Sequence, residues 1–420
     1  GLMGKEIIAE GKTKIVYATT NPNLVFIMSK DDITAGDGLK HDIVSGKGKL
    51  SNITTSNVFR LLKQCHIPVA FKEQHGDKIF VSERCEMIPY EVVVRREAHG
   101  SYLKRNPHLE KGHIFPKLIV EFFLKTSGRN WEGQDIPCDD PLVNFYPNER
   151  VELFIPNQPI SQQEPFLILK DFPLKKHNIA IENMSTIARL VFLILEKSWE
   201  LNGKKLVDFK VEFGFGSQGE LLLADVIDND SWRVIDKGEY MDKQLYRDGG
   251  NLNDVTARYQ EVAEATETFK TPRQQIIMWR ASEKDDLQSF EKAIDPYRRD
   301  LTWTTVTGSL HKQPIDSIKR LTRLIQKIPN TVVIVCCGRS NGAGPTISAN
   351  CTVPVITVPS GWKDFPEDVW SSLRSPSDTP VMTILEAGNA ILASLQILAL
   401  QNPSIYAKLR IEQEYRFCNM

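Results

Sequence analysis

The first part of the chain alternates short runs of β-branched and aromatic residues with turn-forming residues. Residues 6–29 read EIIAEGKTKIVYATTNPNLVFIMS, with apolar runs on both sides of Gly11–Thr13 and again after Asn21–Asn23. Runs of this length, divided by glycine, asparagine and proline, are typical of strands joined by tight turns. The pattern therefore predicts an antiparallel meander at the start of the chain.

Farther along, the apolar positions change to helical spacing and then return to strand-like runs. Apolar residues recur at helical intervals before Asn202–Gly203, at Ile187, Leu190, Val191, Ile194, Leu195 and Trp199. This period predicts an amphipathic helix that ends near Asn202. Two predicted strands follow, LVDFKVEF and LLLADVI, and both contain acidic residues.

A second change of pattern predicts a second domain. Residues 250–272 are polar and helical in pattern, and beyond them the strand-like runs QQIIMW, LTWTTV, TVVIVCCG and VPVITVPS alternate with helical segments at 315–328 and 381–400. This alternation predicts βαβ units around a parallel sheet in three layers. Because 420 residues are also too many for one typical core, we expect two domains, at 1–262 and 263–420.

Composition narrows the class of protein. The chain is 41% hydrophobic and 25% charged, it has no apolar run of membrane-spanning length, and its first residues lack the apolar core of a secretory signal. Its seven cysteines are odd in number and include no CxxC pair, which favours reduced thiols. With a net charge of -1, any phosphate ligand has to be held by local lysines and arginines. We expect a soluble cytoplasmic protein that binds neither nucleic acid nor a membrane.

Two patterns in the first domain point to nucleotide chemistry. Gly11-Lys12-Thr13-Lys14 is not a P-loop, because Glu6 stands where a glycine is required and a strand follows. A glycine hairpin can still cover phosphates with its amides and lysines, although an exposed turn without a ligand remains the alternative.

The second pattern is a row of charges on one predicted strand. Asp208, Lys210 and Glu212 are two residues apart and leave the same face of a strand. A solvated strand face would explain them equally well from spacing alone. However, Asp225 ends the next strand, and carboxylates on neighbouring strands are ligands that magnesium-nucleotide sites use.

Several longer motifs carry a resemblance to a known family. GKTK, PYEVVVRREAHGSYLKRNP, LVDFKVEFG, LADVIDNDSWR and DKQLYRD lie within residues 5–250, which together resemble the phosphoribosylaminoimidazole-succinocarboxamide synthase (SAICAR synthetase) family in its animal bifunctional form. The resemblance implies an α+β fold with a nucleotide-covering antiparallel sheet, as in kinases and ATP-grasp enzymes. It implies an ATP-dependent ligase of purine biosynthesis that joins L-aspartate to carboxyaminoimidazole ribonucleotide (CAIR), giving SAICAR, ADP and phosphate.

The resemblance also implies roles for individual residues. Gly11, Lys12, Thr13 and Lys14 would cover ATP, with Glu86 and Met87 beside the adenine. CAIR would be held by Asp37, Arg95, Ser101, Lys210 and Arg233, with Lys210 also catalytic, and Mg²⁺ by Glu212 and Asp225. His99 departs from the small residue usual in the family, either as a tolerated loop change or as an influence on substrate fit. The segment 126–165 is longer than usual.

The second domain resembles class II phosphoribosylaminoimidazole (AIR) carboxylase over residues 273–415, through SLHKQP and GRSNGAGP. That family has a flavodoxin-like parallel sheet, forms octamers, and joins CO₂ to AIR without biotin or ATP. His311 is the last histidine of the chain and follows a strand, which favours proton transfer over packing. The implied carboxylase site comprises Ser309, His311, Lys312, Gly338, Arg339, Ser340, Asn341 and Gly342.

One departure concerns the phosphate turn of the second domain. The family carries Gly-Ser-x-Ser-Asp there, whereas this chain has Trp279-Arg280-Ala281-Ser282-Glu283. The tryptophan predicts a blocked turn and a weakened or inactive carboxylase kept for assembly. Three alternatives stay open: Arg280 pairs with the phosphate, the enzyme is fully bifunctional, or the domain is purely a scaffold for the oligomer. For the first domain, a kinase-like phosphotransferase and a non-catalytic scaffold are the competing classes.

Overall fold

A computed structural model of the chain describes residues 5–36, 38–146, 150–170 and 175–417, with the backbone alone at 175–180. The chain forms two compact units, one of residues up to Lys270 together with those from Arg410 onward, the other of Thr271–Leu409. The predicted boundary at 262/263 lies inside a helix, Leu252–Thr266, and the division into folding domains stays a prediction. No helix of the described residues is both long and apolar enough to cross a membrane.

The first unit is mainly β-sheet. Its strands are β1 (Ile7–Glu10), β2 (Lys14–Ala18), β3 (Leu24–Ser29), β4 (Asp32–Ala35), β5 (Lys40–Ile43), β6 (Phe71–Gln74), β7 (Ile79–Glu83), β8 (Glu86–Met87), β9 (Tyr90–Glu97), β10 (Ile114–Leu124), β11 (Asn130–Trp131), β12 (Gln134–Asp135), β13 (Leu142–Tyr146), β14 (Arg150–Phe154), β15 (Leu167–Lys170), β16 (Lys205–Phe215), β17 (Leu221–Ala224), β18 (Trp232–Asp236) and β19 (Glu239–Tyr240). Its helices are α1 (Lys47–Gln64), α2 (Ser101–Arg105), α3 (Lys175–Glu200), α4 (Lys243–Arg247) and α5 (Leu252–Thr266).

Two large sheets organise this unit. The predicted N-terminal meander is confirmed as an antiparallel sheet in the order β1-β2-β3-β7-β6. The larger sheet runs β15-β14-β13-β10-β9-β16-β18-β19, and β8 and β17 also pair with β16. The long segment 126–165 supplies β13 and β14 near one edge of this sheet.

The predicted amphipathic helix is confirmed as α3, and it packs on the larger sheet. Phe192 meets Phe209 of β16 edge to face at 5.3 Å, and Trp199 meets Trp232 of β18 at 5.4 Å between ring centroids. These aromatic contacts bury the apolar stripe of the helix against the sheet. The strand β16 thus has a buried face beneath α3 and an opposite face on which charged side chains can stand.

The second unit is the predicted α/β fold. Its strands are β20 (Gln275–Arg280), β21 (Thr302–Thr307), β22 (Thr331–Cys337), β23 (Val355–Pro359) and β24 (Met382–Thr383). Its helices are α6 (Gln288–Ile294), α7 (Pro314–Lys327), α8 (Ala343–Ala349), α9 (Trp370–Leu373), α10 (Ala387–Ala399) and α11 (Pro403–Tyr415), the last of which extends beyond Leu409.

All strand pairs of this sheet are parallel, in the order β21-β20-β22-β23-β24. One apolar cluster joins the sheet to α6 and α10 and another joins it to α7 and α8, so helices cover both faces and the predicted three layers are confirmed. The helix predicted from residue 381 was wrong at its start, because Met382–Thr383 pairs with β23 and α10 begins only at Ala387. None of the six cysteines in the described part of the chain forms a disulfide.

Candidate functional site

The charged row on β16 lies on one face, as its spacing predicted. Asp208 is buried, Glu212 is half-buried and Lys210 is exposed, whereas Phe209 and Val211 between them are buried on the α3 side. Lys210 lies 3.7 Å from Glu91 of β9. The row therefore places an acid, a base and an acid along an inner strand of the larger sheet.

Glu212 and Asp225 come together at the carboxyl-terminal part of β16. Glu212 is opposite Ala224 in the β16–β17 register, so Asp225 is the next residue along the chain. Asp225 has a φ of 66° although it is not glycine, and strained backbone of this kind clusters at functional sites. Its carboxylate is ion-paired with Lys14, and Glu212 is paired with Lys125 at 2.6 Å.

Lys14 links the glycine turn to these carboxylates. Burial lowers the pKa of Lys14 to about 8, while the nearby Glu212 carboxylate acts in the opposite direction. The turn itself is closed by a hydrogen bond from the Gly11 amide to the Lys14 carbonyl at 2.9 Å. A Cβ placed on Gly38 would lie 3.8 Å from Lys12 Nζ, so Lys12 reaches toward the loop after β4. Asp37 of that loop lies outside the described residues.

The two carboxylates are a small donor set for a metal. Among the described residues there is no group of three or more histidine, cysteine, aspartate or glutamate side chains suited to a metal ion. Mg²⁺ commonly takes only one or two carboxylates and completes its shell with phosphate oxygens and water. Glu212 and Asp225 fit that pattern in number and position, and a bound ion would compete with the lysine ammonium groups that pair with them.

A second cluster surrounds Asp208. Its carboxylate accepts hydrogen bonds from Arg95 at 3.3 Å and from Arg233 at 2.9 Å. Arg95 also donates to Glu121 at 2.7 Å and to the Ser101 hydroxyl at 3.4 Å. Of the residues expected to hold CAIR, Arg95, Ser101 and Arg233 are thus brought together, and Lys210 stands between this cluster and Glu212.

Glu86 and Met87 form the short strand β8 beside β16. Met87 pairs with Gly214 and Glu86 with Phe215, and both β8 residues are exposed. A Cβ on Gly214 would lie 2.6 Å from Cys85 Cβ, so glycine is required for this close approach. The pair therefore lies along the same strand as the carboxylates, past Glu212.

In the second unit, His311 lies against the loop after β22. His311 is exposed, and its ring packs closely against Gly342. A Cβ on that glycine would overlap with the Cε1 and Nε2 atoms of the ring. Asn341 is 5% exposed, and its amide donates to Thr357 at 2.9 Å and to Ser372 at 3.1 Å. Asn341 therefore holds the loop, whereas the exposed Arg339 donates to Asp368 at 2.8 Å. Ser309 accepts from the Lys312 amide at 3.2 Å, and Gly338 and Ser340 lie in the loop.

Comparison with known proteins assigns both units. The profile of the SAICAR synthetase family matches residues 7–145 and 160–266, and that of the AIR carboxylase family matches residues 275–416. A Drosophila melanogaster protein, named bifunctional phosphoribosylaminoimidazole carboxylase/phosphoribosylaminoimidazole succinocarboxamide synthetase, is 34% identical over 432 residues, covering 100% of this chain and 94% of that protein. The chain belongs to this bifunctional family.

Single-function relatives match the synthetase unit. A phosphoribosylaminoimidazole-succinocarboxamide synthase of Chloroflexus aurantiacus is 41% identical over 273 residues, covering 62% of this chain and 95% of that protein. A crystal structure of the Ehrlichia chaffeensis synthase aligns at 29% identity with a TM-score of 0.49, covering 62% of this chain and 98% of that chain. The resemblance inferred from the motifs is confirmed for both halves, and with it membership of a purine-biosynthesis enzyme family.

The synthetase unit contains buried charges that the sequence interpretation missed. Lys47 begins α1, is 2% exposed, and pairs with Asp230 at 3.0 Å. Asp228 is also buried, and burial together with the Asp230 charge raises its pKa to about 6. Burial lowers the pKa of Lys243 to about 8. The acidic pair in VIDNDSWR was a usable signal, but nothing in the sequence indicated that Lys47 would be its partner.

The carboxylase-like unit differs from expectation at its divergent turn. Trp279 is fully buried within the cluster that joins β20 to α7 and α8, and its indole donates to the Gly308 carbonyl at 3.0 Å. Strand alternation sends this side chain into the core rather than into the turn, and the blocked turn stays a prediction.

The neighbouring residues lie where the order of the strands reverses, between β20 and β22, the position at which open α/β sheets bind ligands. Arg280 donates to Thr307 at 2.9 Å and to the Asp285 carbonyl at 3.3 Å. Asp285 accepts from the Ser282 amide at 3.2 Å, and a Cβ on Gly338 would lie 2.9 Å from it. An acidic side chain of this chain thus lies at the switch point.

Proposed function

We propose that the synthetase unit joins L-aspartate to CAIR at the expense of MgATP, releasing SAICAR, ADP and phosphate. The observation that carries this proposal is the arrangement on β16, where Asp208 gathers two arginines and Glu212 lies beside Asp225 and two lysines. Four residues of strand separate these clusters by about 13 Å. A ligand with a phosphate at one end and a carboxylate at the other would fit along this face.

The proposed roles follow from charge and position. The amides of Gly11–Lys14, with Lys12 and Lys14, cover the ATP phosphates, and Glu86 and Met87 flank the adenine. Glu212 and Asp225 hold Mg²⁺, which neutralises phosphate charge when bound. Arg95, Ser101 and Arg233 grip the ribonucleotide phosphate, since the guanidinium fork pairs with phosphate through two hydrogen bonds. Lys210 neutralises the imidazole carboxylate, and Asp37 belongs to the substrate loop.

The proposed reaction has two steps. The imidazole carboxylate attacks the terminal phosphorus of ATP, which gives an acyl phosphate and ADP. The free amine of aspartate then attacks the acyl carbon, forms the amide bond and expels inorganic phosphate. The protein contributes mainly positioning and charge neutralisation, which is how phosphoryl-transfer sites generally work.

For the carboxylase-like unit we propose a weakened or inactive carboxylase, retained for assembly as a cytoplasmic homo-octamer. The Asp285 carboxylate at the switch point supports this, because it would repel the phosphate of AIR. A fully bifunctional enzyme, combining AIR with CO₂ without biotin, is the second candidate. It is favoured by the contact of His311 with the Gly342 loop, which would bring a proton-transfer group to the ligand side.

Separate assays of the two half reactions test both proposals. The purified chain should turn over ATP repeatedly only when CAIR and L-aspartate are both present, and should release SAICAR. Glu212→Gln should lower kcat by about 100-fold or more, whereas Glu200→Gln, at an exposed residue in α3, should not. Repeated ATP turnover with CAIR but without aspartate, with a stable phosphorylated product, would instead indicate a phosphotransferase. Rapid carboxylation of AIR would refute the weakened carboxylase.

A further inference from the structure

The imidazole of His99 is buried between a carboxylate and a phenol in the synthetase unit. His99 is 2% exposed and Glu97 is 3% exposed. Nε2 of His99 lies 3.1 Å from a Glu97 oxygen, and Nδ1 lies 2.7 Å from the Tyr240 hydroxyl. Neither partner belongs to the residues proposed to hold a ligand, so both ring nitrogens are engaged within the protein itself.

The protonation states of the two partners fix the direction of these hydrogen bonds. Burial opposes ionisation of Glu97, but hydrogen bonds from His99 and Lys205 outweigh it, and the pKa of Glu97 lies below its usual value. Because an ionised carboxylate only accepts, Nε2 of His99 must donate. Burial raises the pKa of Tyr240, so its hydroxyl keeps its proton near neutral pH and can donate to Nδ1. The ring is thereby held in one orientation.

The main chain that carries this ring contacts the proposed ribonucleotide subsite. The His99 carbonyl accepts from Arg95 Nη1 at 3.1 Å. Gly100 has a φ of 59°, and a Cβ there would lie 2.9 Å from Cζ of Arg233, so the guanidinium packs directly on this peptide. Ser101 begins α2, and its hydroxyl accepts from Arg95 Nη2 at 3.4 Å. Three successive residues, His99, Gly100 and Ser101, thus contact the two arginines.

We infer that His99 is a positioning residue for the ribonucleotide subsite, acting through its buried hydrogen bonds to Glu97 and Tyr240. The inference rests on the proposed synthetase function, since it assigns the subsite that this loop shapes. A histidine merely tolerated in a loop would gain nothing from burial, because each unsatisfied ring nitrogen in a buried site is costly. In this protein both ring nitrogens are hydrogen-bonded. Moving residues 99–101 would therefore require breaking the hydrogen bonds of the buried ring.

The test is a split between kinetic constants. His99→Ala should raise KM for CAIR about tenfold, the usual scale for losing a buried hydrogen bond, and should leave kcat and the KM values for ATP and aspartate within about twofold. His99→Gln, which keeps an amide donor at a similar reach, should recover part of the loss. Tyr240→Phe should raise KM for CAIR in the same direction, and adding it to His99→Ala should cause little further change, because both act through one loop.

His108→Ala is the matched control, since His108 is an exposed histidine after α2, and it should keep the wild-type constants. An unchanged KM for CAIR in folded His99→Ala, or a loss confined to kcat, would overturn the inference while the synthetase proposal stands. Failure of the wild-type protein and His108→Ala to ligate aspartate would overturn the proposed function and this inference with it. If His99→Ala does not fold, Tyr240→Phe decides by the same measurement.

Discussion

The carboxylate of Asp208 pairs with two arginines at once, the buried Arg95 and the half-buried Arg233. It lies 3.3 Å from Arg95 and 2.9 Å from Arg233, and its side chain is 4% exposed. Asp208→Asn keeps the size of the side chain but removes its charge, which leaves Arg95 with Glu121 at 2.7 Å and Arg233 with only the more distant charge of Asp242 among the carboxylates that act on it. Removing one partner from a buried ion pair typically costs about 3–5 kcal/mol. We expect the free energy of unfolding of the synthetase unit to fall by that amount.

Differential scanning calorimetry measures this loss. For a unit of this size, 1 kcal/mol shifts Tm by about 2–4 °C, so a loss of 3 kcal/mol predicts a Tm lower by about 6–12 °C. Inorganic phosphate should raise the Tm of Asp208→Asn more than that of the wild type, because the arginines no longer have a competing carboxylate. Glu239→Gln removes only an exposed ion pair with Arg258, and should shift Tm by less than about 3 °C. An unchanged Tm without an added phosphate response would refute the counter-ion role of Asp208.

Three further predictions concern charges at the two sites. Burial lowers the pKa of Lys14 to about 8, and a bound nucleotide phosphate should raise that pKa again. ATP binding should therefore take up protons and weaken as pH rises through 8. Calorimetry in buffers of different ionisation enthalpy measures the proton uptake, and Lys14→Met should abolish it. Lys125→Met removes the partner 2.6 Å from Glu212 and should tighten Mn²⁺ binding up to about fivefold, whereas Lys72→Met, at a comparable surface pair, should not. Asp285→Ala should increase the affinity of the carboxylase-like unit for AIR, and an unchanged affinity would contradict the proposed repulsion.

The charged face of β16 was predictable because strand alternation is a local rule. A spacing of two places Asp208, Lys210 and Glu212 on one face whatever the rest of the chain does. The partners of these residues were not predictable from spacing. Arg95 is 113 residues from Asp208 in the sequence, and only the pairing of β9 with β16 brings the two together. The motif resemblance, not periodicity, named the arginines.

Two features could not be predicted from the sequence: the partners of buried charges, and the faces that side chains take in central parallel strands. Lys47 begins a helix, where a lysine usually faces solvent, and its partner Asp230 is 183 residues away. Trp279 lies in β20, a strand of the parallel sheet whose two faces are both covered. In such a strand nearly every position is apolar, so the sequence does not indicate which face a side chain takes. Asp285, which lies at the switch point, was not predicted from the sequence, where Trp279 was the more obvious departure.

The position of β16 would allow one strand to hold both ends of the proposed substrate. It pairs with β9 and β18 near Asp208 and with β17 and β8 near Glu212 and beyond, so its backbone is fixed by neighbours along most of its length. Side chains on such a strand keep their separation, and a ligand that bridges them must match that separation rather than reshape it. Under the proposed function, a phosphorylated sugar held at Arg95 and Arg233 would have its reacting carboxylate placed near Lys210 and the carboxylate pair by the strand itself, and the positioning needed for phosphoryl transfer would arise from that placement.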